Sequence, residues 1–271
     1  MSDITLTAGV RQNLLALQQT ADLFTKTSNR LATGKKVNSA LDNPNNFFTA
    51  QGLQGRASDL SGLLDGLSNA VQTVTAANNG ITAITKLVES AKALTSQAKQ
   101  TSDTVTRADL ATQFDALLTQ IDQLAADSGF NGVNLLNGDN LDVTFNETAT
   151  SSITITAVTD TTAGALSVSA SAGSWASSAN IDAAVADLSA ATNTLRTQAK
   201  TFGSNLAVVQ ARQDFTKATI NTLQVGADNL TLADTNEEGA NLTALQTRSQ
   251  ISTVALSLLN QQNQSVLRLF S

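Results

Sequence analysis

The side chains of this sequence that can do chemistry are its carboxylates and cations, because the 271-residue chain holds no histidine, cysteine or tyrosine. Without histidine there is no ordinary base for a serine or threonine nucleophile, and the usual nitrogen and sulfur ligands of zinc are missing. No carboxylates pair in a local constellation, and no phosphate-cradling loop of the GxxxxGK form occurs. These residues point away from an enzyme, and no cofactor or metal is expected. What remains is the placement of charge. Lys26, Arg30, Lys35 and Lys36 gather in one stretch, and Asp228, Asp234, Glu237 and Glu238 in another. Where such groups meet, within one chain or between copies, they fix the register of two surfaces, although isolated exposed pairs contribute little.

Three of the basic group, Arg30, Lys35 and Lys36, lie in Ser28 to Arg56, SNRLATGKKVNSALDNPNNFFTAQGLQGR, which holds the single proline of the chain, and Lys26 stands just ahead of it. Ahead of it Val10, Leu14, Leu17, Ala21, Phe24, Ser28 and Leu31 follow the alternating four-three spacing of a coiled-coil seam. Thr33 and Gly34 end that helix, glycine taking the left-handed closing turn without steric cost. Asn43 is pushed out of the helical region by Pro44, and a second helix is expected by about Leu53. Asn38, Asp42, Pro44 and Phe47 belong to a joint between two helices, with Phe47 and Phe48 either at a subunit contact or plugging a loop.

From Leu60 a helical pattern runs Leu60, Leu64, Leu67, Val71, Val74, Asn78 and Ile81, then Ile84, Val88, Ala91, Leu94 and Ala98. Its spacing shifts near Asn78 to Gly80, where a kink is expected. Gly62 and Gly66 are read either as points of close helix approach or as tolerated breaks. A third pattern follows at Leu110, Phe114, Leu117, Ile121 and Leu124, with Asp109 favouring its start. Gly129 to Asn140 has the composition of turns. Period-two alternation then marks strands at Leu141 to Phe145, Ile153 to Ile155 and Leu166 to Val168. The longest seam spans Ile181 to Leu223, about 65 Å of helix against a radius of gyration of about 18 Å for a compact chain of this size. Gln224 to Gly239 reads as an acidic connector whose second half is compatible with helix. A last amphipathic helix carries Leu242, Leu245, Ile251, Val254, Leu258, Leu267 and Phe270.

The expected fold is mainly α: an elongated antiparallel coiled-coil rod built from both chain ends, with a small β-rich insertion. Residues 1–33 and 240–271 form terminal inner helices, 34–52 and 224–239 joints, 53–129 and 180–223 the rod, and 130–179 a surface-exposed insertion. A net charge of -6 argues against nucleic-acid binding. The amino terminus lacks the pattern of a secretory signal peptide, and no apolar run reaches the roughly 20 residues a membrane span needs. Two seamed ends that can cover only one stripe of each other need further helices, which other copies of the chain would supply. Repetition without closure gives a filament.

At this point the residues resemble the bacterial flagellins. SNRLATGKKVNSALDNPNNFFTAQGLQGR is similar to the signature that follows the first helix of that family. FNGVNLLNG resembles the turn into its outer domain, and ALQTRSQISTVALSLLNQQNQSVLRLF its C-terminus. The resemblance covers Ile4 to Leu136 and Ile181 to Phe270, and the short centre is similar to the compact flagellins of alphaproteobacteria. It implies a structural subunit of the extracellular flagellar filament, exported unfolded through the flagellar type III channel, polymerising with itself. Flagellar cap and hook-junction proteins and an export chaperone are implied as partners, and terminal helices as inner tubes. Assembly residues would be Val10, Leu14, Leu17, Phe24, Leu31, Lys35, Lys36, Asn38, Asp42, Pro44, Phe47, Leu242, Leu245, Ile251, Val254, Leu258, Leu267 and Phe270. The segment matching the one read by the vertebrate innate receptor holds Lys86, Val88 and Glu89, with valine where that segment usually has arginine. A hook-filament junction protein, an adhesin acting through the insertion and a cytosolic coiled-coil scaffold are the alternatives, the adhesin having Trp175 as its single tryptophan.

Overall fold

The computed structural model describes residues 8–162 and 164–269. Five α-helices, α1 (Ala8–Thr33), α2 (Pro44–Gln100), α3 (Thr104–Asp127), α4 (Ser178–Thr231) and α5 (Thr235–Leu269), carry the chain, with strands β1 (Leu141–Thr144) and β2 (Ser152–Ile155) between α3 and α4. The chain divides into two compact units, Met1–Gly55 with Thr222–Ser271, and Arg56–Asn221.

The second unit is built on the seams of α2, α3 and α4. Along α2 the buried positions Leu67, Ala70, Val74, Ala77, Ile81, Ile84, Val88, Ala91, Thr95 and Ala98 alternate three and four residues apart without a slip. The expected kink near Asn78 is therefore absent, and α2 is one helix through Gly80. The apparent phase shift came from placing Val71 and Asn78 on the seam in place of the smaller Ala70 and Ala77. Polar contacts give the pairing of α2 with α4: Gln213 Nε2 donates to Ser68 Oγ at 2.9 Å, Lys92 Nζ to Thr192 Oγ1 at 3.0 Å, and Lys99 pairs with Asp182. Numbers rise along one helix as they fall along the other, so the two run antiparallel.

Asp103 starts α3, its carboxylate accepting from the N–H groups of Val105 and Thr106; Asp109, expected at that start, lies a turn and a half inside. Buried Arg107 ties this turn down, its Nε donating to Thr101 O at 2.8 Å and Ala98 O at 3.2 Å. Cationic donors on the last carbonyls of α2 also complement that helix's dipole.

Among its described residues the insertion contains a single antiparallel hairpin, with Leu141 opposite Ile155 and Thr144 opposite Ser152. Leu166 and Val168 are not a strand. They are buried through a turn in which Ser167 takes φ 49° and Val168 N–H donates to Thr162 O at 2.9 Å. Alternation placed two residues on one side here without a ladder, since a turn can do the same over three residues. Side chains of α3 hold this irregular stretch. Asp115 accepts from the N–H and hydroxyl of Ser171, and Asp122 from those of Thr162. Trp175 is wholly buried, its ring 5.0 Å from that of Phe114, so it offers no platform for a sugar.

Within the helices, Gly80 is a glycine that packing requires. A Cβ there would lie 2.2 Å from Ser128 Oγ and 2.7 Å from Leu136 Cδ1, whereas nothing lies within 4 Å of one at Gly62 or Gly66. The latter two are tolerated positions, not points of close approach. Gly80→Ala is expected to destabilise the protein by about 1–3 kcal/mol through overpacking, and Gly62→Ala to stabilise it by up to about 1 kcal/mol. Equilibrium unfolding in denaturant measures both; equal effects of one sign would contradict this packing.

Candidate functional site

The first unit gathers the predicted assembly residues on α1, α5 and two short breaks. α1 and α5 pack against each other, as their seams suggest. On α1 the covered positions are Val10, Asn13, Leu17, Thr20, Phe24, Thr27 and Leu31. On α5 they are Glu238, Leu242, Leu245, Ser249, Ser252, Leu256 and Leu259, again three and four apart. Several expected seam residues are thereby moved outward. Leu14 is 39% exposed, and Ile251, Val254 and Leu258 are 64%, 67% and 64% exposed. Thr20 fits the seam because its hydroxyl donates to Ala16 O at 2.7 Å within its own helix, which leaves a methyl group for packing. Leu267 falls in α5, while its side chain and Phe270 lie outside the described residues, as does Ile4.

The joint between α1 and α2 is shorter than expected. Gly34 takes φ 69° at the end of α1, and α2 begins at Pro44, well before Leu53. Asn43 Oδ1 accepts from Asn46 N–H at 3.1 Å, so Asn43 caps the helix and Pro44 occupies the first turn, where a missing N–H costs nothing. Asp42 organises the loop between them: Oδ2 accepts from the N–H groups of Asn38 and Ser39, both at 3.1 Å. The Asn38 N–H leads the hydrogen bonds that hold the Asp42 carboxyl below its ordinary pKa. Phe47 and Phe48 meet edge to face at 5.6 Å. Phe47 lines a small cleft with Val37 and Thr231, whereas Phe48 is 61% exposed.

The two breaks clasp each other. Lys36 and Val37 N–H donate to Thr231 O at 2.8 and 3.3 Å, and Ala233 N–H returns a bond to Gly34 O at 2.9 Å. Lys36 Nζ donates to Asn229 O at 3.3 Å, a cation on the closing carbonyls of α4. Lys35 pairs through its backbone with Leu232. The connector expected over Gln224 to Gly239 is helix for most of its length, the break being confined to residues 232–234. Asp234 starts α5 by accepting from Asn236 and Glu237 N–H at 2.8 and 3.2 Å. Its acidic neighbours sit in the first turn of α5, where the dipole favours them. Asp234 followed by Glu237 is a capping-box spacing, a signal that a search for charge pairs passes over.

Of the two charge groups, Arg30 and Glu238 form an ion pair, Nη1 to Oε1 at 3.0 Å. Glu238 is buried, and Arg30 Nε is buried without a partner. In the segment compared with the receptor-read one, Lys86 and Glu89 are exposed, but Val88 is wholly buried on the α2 seam. That position presents nothing to a partner. Glu238→Ala is expected to destabilise the first unit by about 1–3 kcal/mol, because it strands the Arg30 guanidinium. Amide exchange of α1 and α5 reads this, with loss of protection confined to them; unchanged exchange would show that the pair is solvated.

Two family models match the chain: the bacterial flagellin N-terminal helical region over residues 7–141 and the bacterial flagellin C-terminal helical region over residues 179–270. The flagellin FljK of Caulobacter vibrioides is 31% identical to it over all of this chain and 99% of that protein. FljM of the same organism is 29% identical over the same shares, and a flagellin of Brucella melitensis 27%. The chain therefore belongs to the bacterial flagellin family, the structural subunits of the flagellar filament.

Proposed function

We propose that this filament subunit polymerises through the faces of α1 and α5 that its own fold leaves uncovered. The carrying observation is the stripe of Ile251, Val254 and Leu258, each about two-thirds exposed on α5. Leu15 and Leu23 are similarly bare on α1. Three large apolar residues at seam spacing on one helix face are the pattern that packs into a neighbouring helix. In this reading residues 1–33 and 240–271 are inner helices, the breaks at 34–43 and 232–234 are joints that lock neighbours through Lys35, Lys36, Asn38 and Asp42, with Pro44 and Phe47 at the start of α2, the helices beyond them form the rod, and residues 130–179 face solvent. The subunit passes unfolded through the flagellar export channel and is extracellular. No described helix is long and apolar enough to cross a membrane. The absence of cysteine and the single proline suit threading and refolding, since neither disulfides nor slow prolyl steps intervene. An export chaperone covering the α5 stripe before assembly, a cap at the growing tip and a hook-junction protein at the base complete the partners.

Each side chain of the stripe, once buried, is worth about 1.5–3 kcal/mol, or about tenfold or more in affinity. Val254→Asp is expected to raise the critical concentration for seeded growth at least about tenfold while monomer unfolding is unchanged. Sedimentation and electron microscopy measure this, and wild-type growth by the variant would remove the stripe from the interface. Asp42→Ala is expected to leave secretion normal and to lower filament yield; full-length filaments at normal yield would make the joint a plain hinge.

A further inference from the structure

Asp160 is wholly buried in the stretch that seats the insertion on α4. Its N–H donates to Leu136 O at 2.9 Å, and its Oδ1 accepts from Gln198 Nε2 of α4 at 2.7 Å. The remaining oxygen of each group, Asp160 Oδ2 and Gln198 Oε1, is buried with no partner. Two orphan acceptors on two groups that already share one hydrogen bond are a poor arrangement for an ionised acid.

Among the described residues no charged group compensates. From α3, Asp122 is engaged with Thr162 and Asp127 is exposed. From the turn before β1, Asp139 accepts from Asn134 N–H. From α4, Arg196 and Lys200 are exposed, as are Lys86 and Glu89 on α2. Gln198 is the one side chain hydrogen-bonded to the Asp160 carboxyl among the described residues.

A neutral carboxylic acid offers one O–H donor and one carbonyl acceptor, and a primary amide offers the complementary pair. Placed head to head they exchange two hydrogen bonds, so one proton on Oδ2 satisfies both orphans. We propose that the folded subunit holds a proton on Asp160 in mild acid, that Oδ2–H then donates to Gln198 Oε1, and that this reciprocal acid–amide pair latches the residue 157–162 stretch onto α4.

The latch reaches beyond the pair. Val158 N–H donates to Leu135 O at 2.8 Å and Gly138 N–H to Val158 O at 3.1 Å, which ties the turn before β1 to the same stretch. Burial pushes the Asp160 carboxyl up from 3.8 to about 6, the Gln198 hydrogen bond pulling it partway back. An acid whose pKa is raised on folding stabilises the fold in its protonated form. That stabilisation is complete below 3.8 and is lost as pH rises through about 6.

Carboxyl-carbon NMR of the full-length monomer tests the protonation directly. The Asp160 signal is expected to titrate near pH 6, and a midpoint below about 4.5, close to an ordinary carboxyl, would overturn the proposal. Amide exchange of residues 157–162 tests the latch. In the native sequence protection, corrected for intrinsic rates, is expected to fall by up to about tenfold per pH unit between about pH 4 and 6 and then level off. In Asp160→Asn an amide N–H replaces the acid proton at every pH, so protection is expected to be flat over that range and higher than that of the native sequence at pH 7. The same pH profile in both proteins would exclude the latch even if the acid titrates high.

Discussion

A helix leaves its last carbonyls without partners, and the first unit depends on how α4 satisfies its own. Thr231 O receives two N–H groups from the break after α1, and Asn229 O receives the Lys36 ammonium. The return bond from Ala233 to Gly34 makes the clasp reciprocal, so each break holds the other. Backbone groups make most of these bonds, and few side chains are therefore specified. The exceptions are Gly34, which reaches a positive φ at no cost, and Asp42, whose carboxylate gathers the N–H groups of Asn38 and Ser39. A loop with Val37 as its buried apolar side chain keeps its shape through these hydrogen bonds.

Much of this fold is legible in the sequence. The break after Gly34, the turn before β1, the helical seams and the pairing of the first and last helices follow from periodicity and turn chemistry. Seam phase was read less well, because large apolar residues were preferred over small ones. Ala70 and Ala77 lie inside where Val71 and Asn78 were expected. Thr20 is buried and Leu14 is not, since a threonine whose hydroxyl bonds its own helix packs as a small apolar group. Helix starts were read late for a related reason. Asn43, Asp103 and Asp234 cap α2, α3 and α5, and a reading anchored on the first leucine misses the polar turn ahead of it.

The insertion was the least legible part, because its order comes from residues distant in sequence. Asp115 and Asp122 stand seven apart on α3 and so share a face, and each grips one residue of the segment that follows the hairpin. Nothing local to Thr162 or Ser171 announces this. Serine- and threonine-rich composition there is equally that of a disordered chain, and two tethers with a handful of buried side chains decide the matter. Phe145 shows the same long-range logic, with the guanidinium of Arg212 5.1 Å from its ring centroid.

The first unit leaves large apolar side chains outside although small ones sit in its seam. In the second, leucine, isoleucine and phenylalanine alternate with alanine along the seams of α2, α3 and α4. In the first, the seam between α1 and α5 includes Thr20, Thr27, Ser249 and Ser252, while Ile251, Val254 and Leu258 point outward. A helix pair that buried its own large residues would be more stable alone and would have nothing left to bury against a neighbour. Stability of the monomer and affinity of the polymer thus draw on one set of side chains. In the proposed assembly the outward Ile251, Val254 and Leu258 are the part of that set left to the polymer.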